Sequence, residues 1–229
     1  MPVDPRLELL KRLAEKHEHV SPEEVRKMIR AVSRFTKDHL VAAGFDSENV
    51  RKICTKLRDA GRRSPPWRSA SSKVPGLPQD GADGNRQRRW DFPPAHEFYA
   101  DEVTATFVEI KYYLELLSMK GAPPLPPDTI QDGFLWLTGH QIKPGAYLDP
   151  IQLVPIELKK FLDDRRYVES GHLIPHGRKG RHVPKNAFLC LRNSNRLQGD
   201  LTVSELLELM EQIVNKHKEL GARDITKRS

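Results

Sequence analysis

Apolar positions recur at a helical period near the start of the chain. Val25, Met28, Ile29, Val32, Phe35 and Leu40 follow Ser21-Pro22-Glu23-Glu24, and Gly44 closes the segment. A serine, an early proline and an acid three residues on are the parts of a helix N-cap. The pattern predicts a helix there, a shorter one around Leu7–Lys16, and a third from about Ser47 to Ala60 stopped by Gly61. From Arg62 to Pro94 the period dissolves into prolines, serines and glycines, which reads as a flexible linker between two units. Beyond it, Asp101–Met119 carries Val103, Phe107, Ile110, Leu114 and Leu117 on one helical face. Phe134–Thr138 is a short strand-like run, and Ile156–Asp164 is expected to be a short helix. Tyr167–Ile174 and Phe188–Leu191 read as strands. Thr202 and Glu205 then cap a last helix whose buried face is Leu206, Leu207, Met210, Ile213 and Val214.

Two strands leading into a helix make a ββα arrangement. The expected fold class is therefore α+β, with a C-terminal ββα core wrapped by helices and a small all-α N-terminal unit. The expected division is 1–61 helical, 62–95 linker, and 96–229 for the main domain, with the ββα core at about 165–218.

Charge sharpens this layout. The chain has 229 residues and a net charge of +7, from 38 Lys+Arg against 31 Asp+Glu. By segment the net is +5 over 1–63, +2 over 64–95, −6 over 96–164, +6 over 165–200 and zero thereafter. The basic N-terminal helices fit DNA binding, dimerisation or a plain structural cap. In the linker, Arg88 and Arg89 beside Trp90 suit phosphate contact with stacking, or an indole that anchors the linker. No window approaches the ~18 apolar residues of a membrane span. Met1-Pro2-Val3-Asp4 does not read as a signal peptide. Two cysteines, Cys54 and Cys190, exclude a disulfide scaffold and a four-cysteine zinc site. A cytoplasmic protein without membrane contact is expected.

The most basic stretch also holds the candidate chemistry. His172 is followed by Pro175, Gly180, His182, Asn186, Asn195-Arg196 and Gly199. A strand histidine, a proline three residues on, a glycine-containing loop, an asparagine fourteen residues after the histidine and another nine further resemble the HNH (ββα-metal, His-Me finger) endonuclease family, in its restriction-type members. The resemblance covers about residues 165–215.

What the resemblance implies is phosphodiester hydrolysis of double-stranded DNA. His172 is the implied general base, because an imidazole titrates near neutral pH. Asn186 orients strand and loop, and Asn195 offers an amide oxygen to Mg2+ or another divalent ion such as Mn2+. Around them Arg178, Lys179, Arg181, Lys185, Arg192 and Arg196 supply phosphate contacts. Gly171 stands where most of the family has an aspartate metal ligand. Glu169, two residues away and so on the same strand face, could reach the ion through water or pair with Arg165 or Arg166. His176 and His182, as loop histidines, are expected to meet phosphate or solvent more readily than metal, and Asp200 to belong to the start of the last helix. Cys190 has Asn193 where zinc-stapled relatives have a second cysteine, so no structural zinc is expected. The implied function is a site-specific restriction or phage-defence endonuclease acting as a homodimer. The alternatives are a monomeric nicking or homing enzyme and a catalytically inactive DNA-binding adaptor.

Overall fold

A computed structural model of the chain describes residues 19–64, 86–125 and 134–219, together with Glu15. The Leu7–Lys16 helix, apart from Glu15, and the middle of the linker lie outside the described residues. The fold is α+β. In chain order, α1 spans Pro22–Ala42, α2 Ser47–Arg62, α3 Glu102–Leu117, α4 Leu135–Thr138 and α5 Leu158–Asp163. Then come β1 (Val168–His172), β2 (Ala187–Leu191), α6 (Arg192–Gln198) and α7 (Val203–Glu219), with single 3-10 turns at Arg89–Asp91 and His176–Arg178.

Local chemistry sets the boundaries. The Ser21 side chain accepts from the Glu24 amide while Glu24 reaches back to Ser21, a complete capping box at the head of α1. Asp46 and Asp101 cap α2 and α3 the same way, accepting from Asn49 and Thr104. The segment Phe134–Thr138, expected as a strand, is instead one helical turn. The Phe134 carbonyl accepts from the amides of Leu137 and Thr138 and from the Thr138 hydroxyl, and Gly139 ends the turn at φ 75°. Five apolar-rich residues fit either state, and these local bonds decide it.

Helix α3 is the axis of the molecule. Every residue from Ala105 to Leu117 is buried, including Glu109, Lys111 and Glu115, so the expected single apolar face is replaced by burial on all sides. Helices α1 and α2 pack on it, as do β2 and α4. The buried residues of α1, α2 and α3 share one hydrophobic core with Val168, Ala187 and Leu189 of the sheet. Gly61 does not stop α2, which runs on to Arg62. A Cβ at Gly61 would lie 2.6 Å from the Glu109 Cβ and 2.7 Å from its Cα, so this glycine is where α2 touches the α3 backbone. The linker ends also meet, since the Ser64 amide donates to the Gln87 carbonyl at 2.9 Å.

The sheet has two antiparallel strands, with His172 opposite Ala187 and Val168 opposite Leu191. The far edge of β2 is bonded by side chains where a third strand would otherwise lie. Lys111 donates to the Ala187 carbonyl at 2.6 Å, and Glu115 accepts from the Leu189 amide at 3.0 Å. Tyr147 donates to the Leu189 carbonyl at 2.6 Å, and Asp149 accepts from the Leu191 amide at 2.7 Å. On the other strand, Lys56 of α2 donates to the carbonyls of Arg165 and Val168. The charged residues of the core thus fix where β1 and β2 sit.

Helix α7 departs from expectation. Its capping box is formed by Thr202 and Glu205, but of the apolar stripe only Leu206 is buried. Leu207, Met210, Ile213 and Val214 are 44–53% exposed, so the stripe faces outward. Among the described residues no helix is long and apolar enough to cross a membrane.

Candidate active site

His172 is the last residue of β1, and the loop after it is tightly tied. Asn186 donates from Nδ2 to the Ile174 and Arg181 carbonyls, at 3.0 and 2.8 Å. Its Oδ1 accepts from the Ile174 amide at 2.8 Å, and its own carbonyl accepts from Leu173 at 2.9 Å. One buried side chain therefore joins both ends of the fourteen-residue loop between β1 and β2. Gly180 is needed inside it, because a Cβ there would fall 1.7 Å from the Ile174 carbonyl oxygen. Gly171 has a comparable cause. A side chain there would meet the buried Phe188 ring at 2.8 Å and Cys190 Sγ at 3.2 Å, so this strand has no room for an aspartate before His172.

The loop brings His176 and His182 to His172. His182, expected at phosphate or solvent, is fully buried. Its Nε2 lies 2.7 Å from the Gly61 carbonyl, an acceptor, so Nε2 carries the proton and Nδ1 the lone pair. His172 Nε2 lies 3.0 Å from that Nδ1 and must be the donor. The lone pair of His172 is therefore on Nδ1. This tautomer follows from the partners, as it does wherever one ring nitrogen is fixed by a carbonyl. The chain His172–His182–Gly61 runs from the end of β1 to the end of α2 and holds the His172 ring in one orientation.

His176 stands at a ring-centroid distance of 4.2 Å from His172 and edge-on to Phe98. Its Nδ1 donates to the Gly180 carbonyl at 3.0 Å, which leaves the lone pair on Nε2. That buried nitrogen has no hydrogen-bond partner among the described residues, while the Glu97 backbone beside the ring acts to raise its pKa. One nitrogen from each of the three histidines lies within 4.8 Å of the other two, a set that could hold a metal ion. Burial pushes all three imidazoles toward the neutral form, His172 and His182 well below 6.5 and His176 to about 4. Neighbouring cations, Arg89 above all, act in the same direction.

Asn195 makes a second group on α6. Its Nδ2 donates to Glu169 Oε2 at 2.7 Å, and Arg192 approaches the other Glu169 oxygen at 3.7 Å. Glu169 therefore pairs with Asn195 and Arg192, and neither Arg165 nor Arg166 is its partner among the described contacts. His172 and Asn195 share no direct hydrogen bond among the described residues. They are linked through Gln198, one helical turn beyond Asn195, which donates to the His172 carbonyl at 2.7 Å. The sequence pattern misses Gln198 as a contributor; its only signal is its place three residues after Asn195.

The basic residues divide by exposure. Lys179, Arg181, Lys185 and Arg196 are exposed, with Arg181 donating to the Pro94 carbonyl at 3.2 Å. Arg178 is held by Glu205 through two bonds of 2.8 and 2.7 Å. Arg88 is exposed and pairs with Asp91, and with Arg62 it brackets the Trp90 ring. Arg89 is only 3% exposed, so its guanidinium is turned inward, donating to the Phe98 carbonyl, and burial lowers its pKa to about 10. Asp200 precedes the α7 cap. Cys54 and Cys190 are buried free thiols.

No protein-family model matches the chain, and no curated protein matches it. Its architecture does recur among solved structures. The chain superposes on the crystal structure of a type II restriction endonuclease with a TM-score of 0.53 and 19% identity, over 76% of this chain and 80% of that one. At this identity the likeness is one of fold.

Proposed function

We propose that the protein is a metal-dependent DNA endonuclease of the HNH type, with His172 as the general base. The observation that carries this reading is the tautomer imposed on His172, whose Nδ1 lone pair is set by His182 and Gly61. A neutral imidazole with a fixed lone pair is what proton abstraction from water requires. Nδ1 takes the proton, the water oxygen bonds to phosphorus, and the bond from phosphorus to the 3′ oxygen breaks. The imidazolium so formed keeps its Nε2–H bond to His182, which spreads the new charge along the relay. Burial makes the free imidazole a weak base, and the negative phosphate arriving beside it raises its proton affinity.

Magnesium fits the oxygen donors on α6 and β1 better than the histidines. The Asn195 amide oxygen and the Glu169 carboxylate are hard ligands, and Mg2+ takes few protein ligands and several waters. Those two residues would hold it, with Glu169 in place of the aspartate that Gly171 lacks room for. When bound, such an ion supplies Lewis-acid stabilisation of the departing oxygen. Lys179, Arg181, Lys185 and Arg196 supply phosphate contact from exposed positions, with Arg88 nearer the linker. Arg178 and Arg192, already paired with Glu205 and Glu169, contribute less, and the buried Arg89 acts on the histidines.

A homodimer would place one such site on each DNA strand. The outward apolar face of α7 supports it. That helix carries Glu208 and Glu211 near its middle, with Glu205 already held by Arg178, and Lys216 and Lys218 beside Glu219 in its last turn, so two copies meeting antiparallel bring Lys218 toward the acidic part of the partner.

Incubation with supercoiled plasmid tests the proposal. Mg2+ or Mn2+ should support cutting that EDTA abolishes, with discrete linear bands for site-specific double-strand cleavage and open circles for nicking. An intact plasmid with every divalent ion and every DNA modification state tried would overturn it and favour a DNA-binding adaptor.

A further inference from the structure

We infer that His172, His176 and His182 form a site for a nitrogen-preferring transition ion, Zn2+ or Co2+, distinct from the oxygen site, and that its occupation switches the enzyme off. The metal site rests on the histidine geometry alone, and the switch rests also on the nuclease reading. Two of the three lone pairs are already set for an ion. The Gly61 carbonyl fixes the proton of His182 on Nε2 and so presents Nδ1; the Gly180 carbonyl fixes that of His176 on Nδ1 and so presents Nε2. Backbone carbonyls behind histidine ligands are the usual outer shell of such sites. The His176 Nε2 is buried and without a partner among the described residues, which a ligand role accounts for. The third nitrogen, His172 Nε2, faces His182 Nδ1 at 3.0 Å across the proton they share. A tetrahedral ion with bonds of about 2.0–2.1 Å needs nitrogens roughly 3.4 Å apart. One nitrogen of each ring already lies within 4.8 Å of the other two, and modest ring rotations bring the set to that spacing.

The donor set selects the ion. Three imidazoles suit Zn2+, Co2+ or Ni2+ and poorly suit Mg2+. Arg89, buried beside the rings, opposes any cation, so only an ion with strong affinity for nitrogen overcomes it.

The consequence for His172 follows from proton placement. Coordination through Nε2 moves that proton to Nδ1, with no net gain or loss. Nδ1 then holds a hydrogen where the proposed base needs its lone pair. One bound ion would thus block water activation without touching Asn195 or Glu169.

The experiment uses the full chain, cleared of metal and titrated with Co2+. The visible absorption of Co2+ should rise to one equivalent per chain, and Zn2+ should displace it. His176→Phe, which keeps a ring against Phe98, should weaken Co2+ binding at least about tenfold. His176→Ala provides the same test if the larger ring perturbs folding. In Mg2+-supported plasmid cleavage, one equivalent of Zn2+ should stop the wild type and leave either variant active. Absence of a stoichiometric Co2+ signal, or unchanged affinity in both variants, overturns the site. Stoichiometric binding without inhibition of an active enzyme overturns the switch. A protein that binds Co2+ through His176 yet never cuts DNA keeps the site and refutes the nuclease.

Discussion

Three neutral histidines in contact make an acid-sensitive point in the fold. In the unfolded chain each titrates near 6.5, whereas burial holds His176 at about 4 and His172 and His182 well below 6.5. A depressed pKa means that the stability these groups confer is complete above pH 6.5 and is lost as the pH falls toward the folded values. Glu109 and Glu115 run the other way. Burial raises both to about 7, so what they add is greatest below their ordinary 4.5 and disappears as the pH rises through 7. Comparison with His176→Ala in chelator isolates the histidine part. Between pH 6.5 and 4 the wild type should lose stability more steeply than the variant, by up to about 1.4 kcal/mol per pH unit for the one proton removed. Denaturant unfolding at several pH values measures this, and parallel curves would refute it. At this scale the sequence was most legible where a residue acts on its neighbours in the chain. Ser21 and Glu24, or Thr202 and Glu205, state their role by spacing alone. His182 could not, because its acceptor, the Gly61 carbonyl, lies 121 residues away. The inward turn of Arg89, whose acceptor is the Phe98 carbonyl nine residues on, leaves no mark in the local pattern either.

At the scale of elements, the junction of α2 and α3 places the site. Gly61 touches the Glu109 backbone and offers its carbonyl to His182, so helix packing and ring orientation meet at one residue. Gly61→Ala should push the helices apart and cost roughly 1–3 kcal/mol, as overpacking of a tight contact does. An unchanged denaturation midpoint would contradict that. In the sequence this glycine looks like a helix stop, since a close approach leaves no local mark. Helix α3 was legible as a helix with one apolar face, a pattern that does not foretell the burial of Glu109, Lys111 and Glu115. Their burial follows from the edge of β2, whose backbone groups are satisfied by Lys111, Glu115, Tyr147 and Asp149. A pairing between one helix and the free edge of a strand is tertiary information. Phe134–Thr138 shows the converse limit, a run too short for its period to distinguish strand from helix.

For the molecule as a whole, charge and the outward face of α7 govern what it meets. DNA affinity should fall linearly with the logarithm of salt, by about 0.9 per phosphate neutralised. Lys179→Ala or Lys185→Ala should reduce that slope by about 1, while Arg178→Ala, already paired with Glu205, should change it less. Fluorescence titration over a range of salt decides, and unaltered slopes for both lysine variants would remove them from the DNA contact. Assembly is tested at α7. Ile213→Glu adds charge to a side chain that is 49% exposed, so it should convert a dimer to a monomer without unfolding it. A wild type that sediments as a monomer at every concentration would refute the homodimer. Here too the sequence was partly legible: the apolar stripe of α7 was plain, but a stripe does not say whether its own chain covers it.

The proposed reaction turns on removal of a proton from water by His172 Nδ1. Its most direct test is the single-turnover rate of Mg2+-supported plasmid cleavage by His172→Ala, with and without added imidazole. Loss of a general base predicts a fall of about 10²–10⁴-fold, partly restored as neutral imidazole enters the space left by the ring. A His172→Ala enzyme that cuts at the wild-type rate would contradict the account.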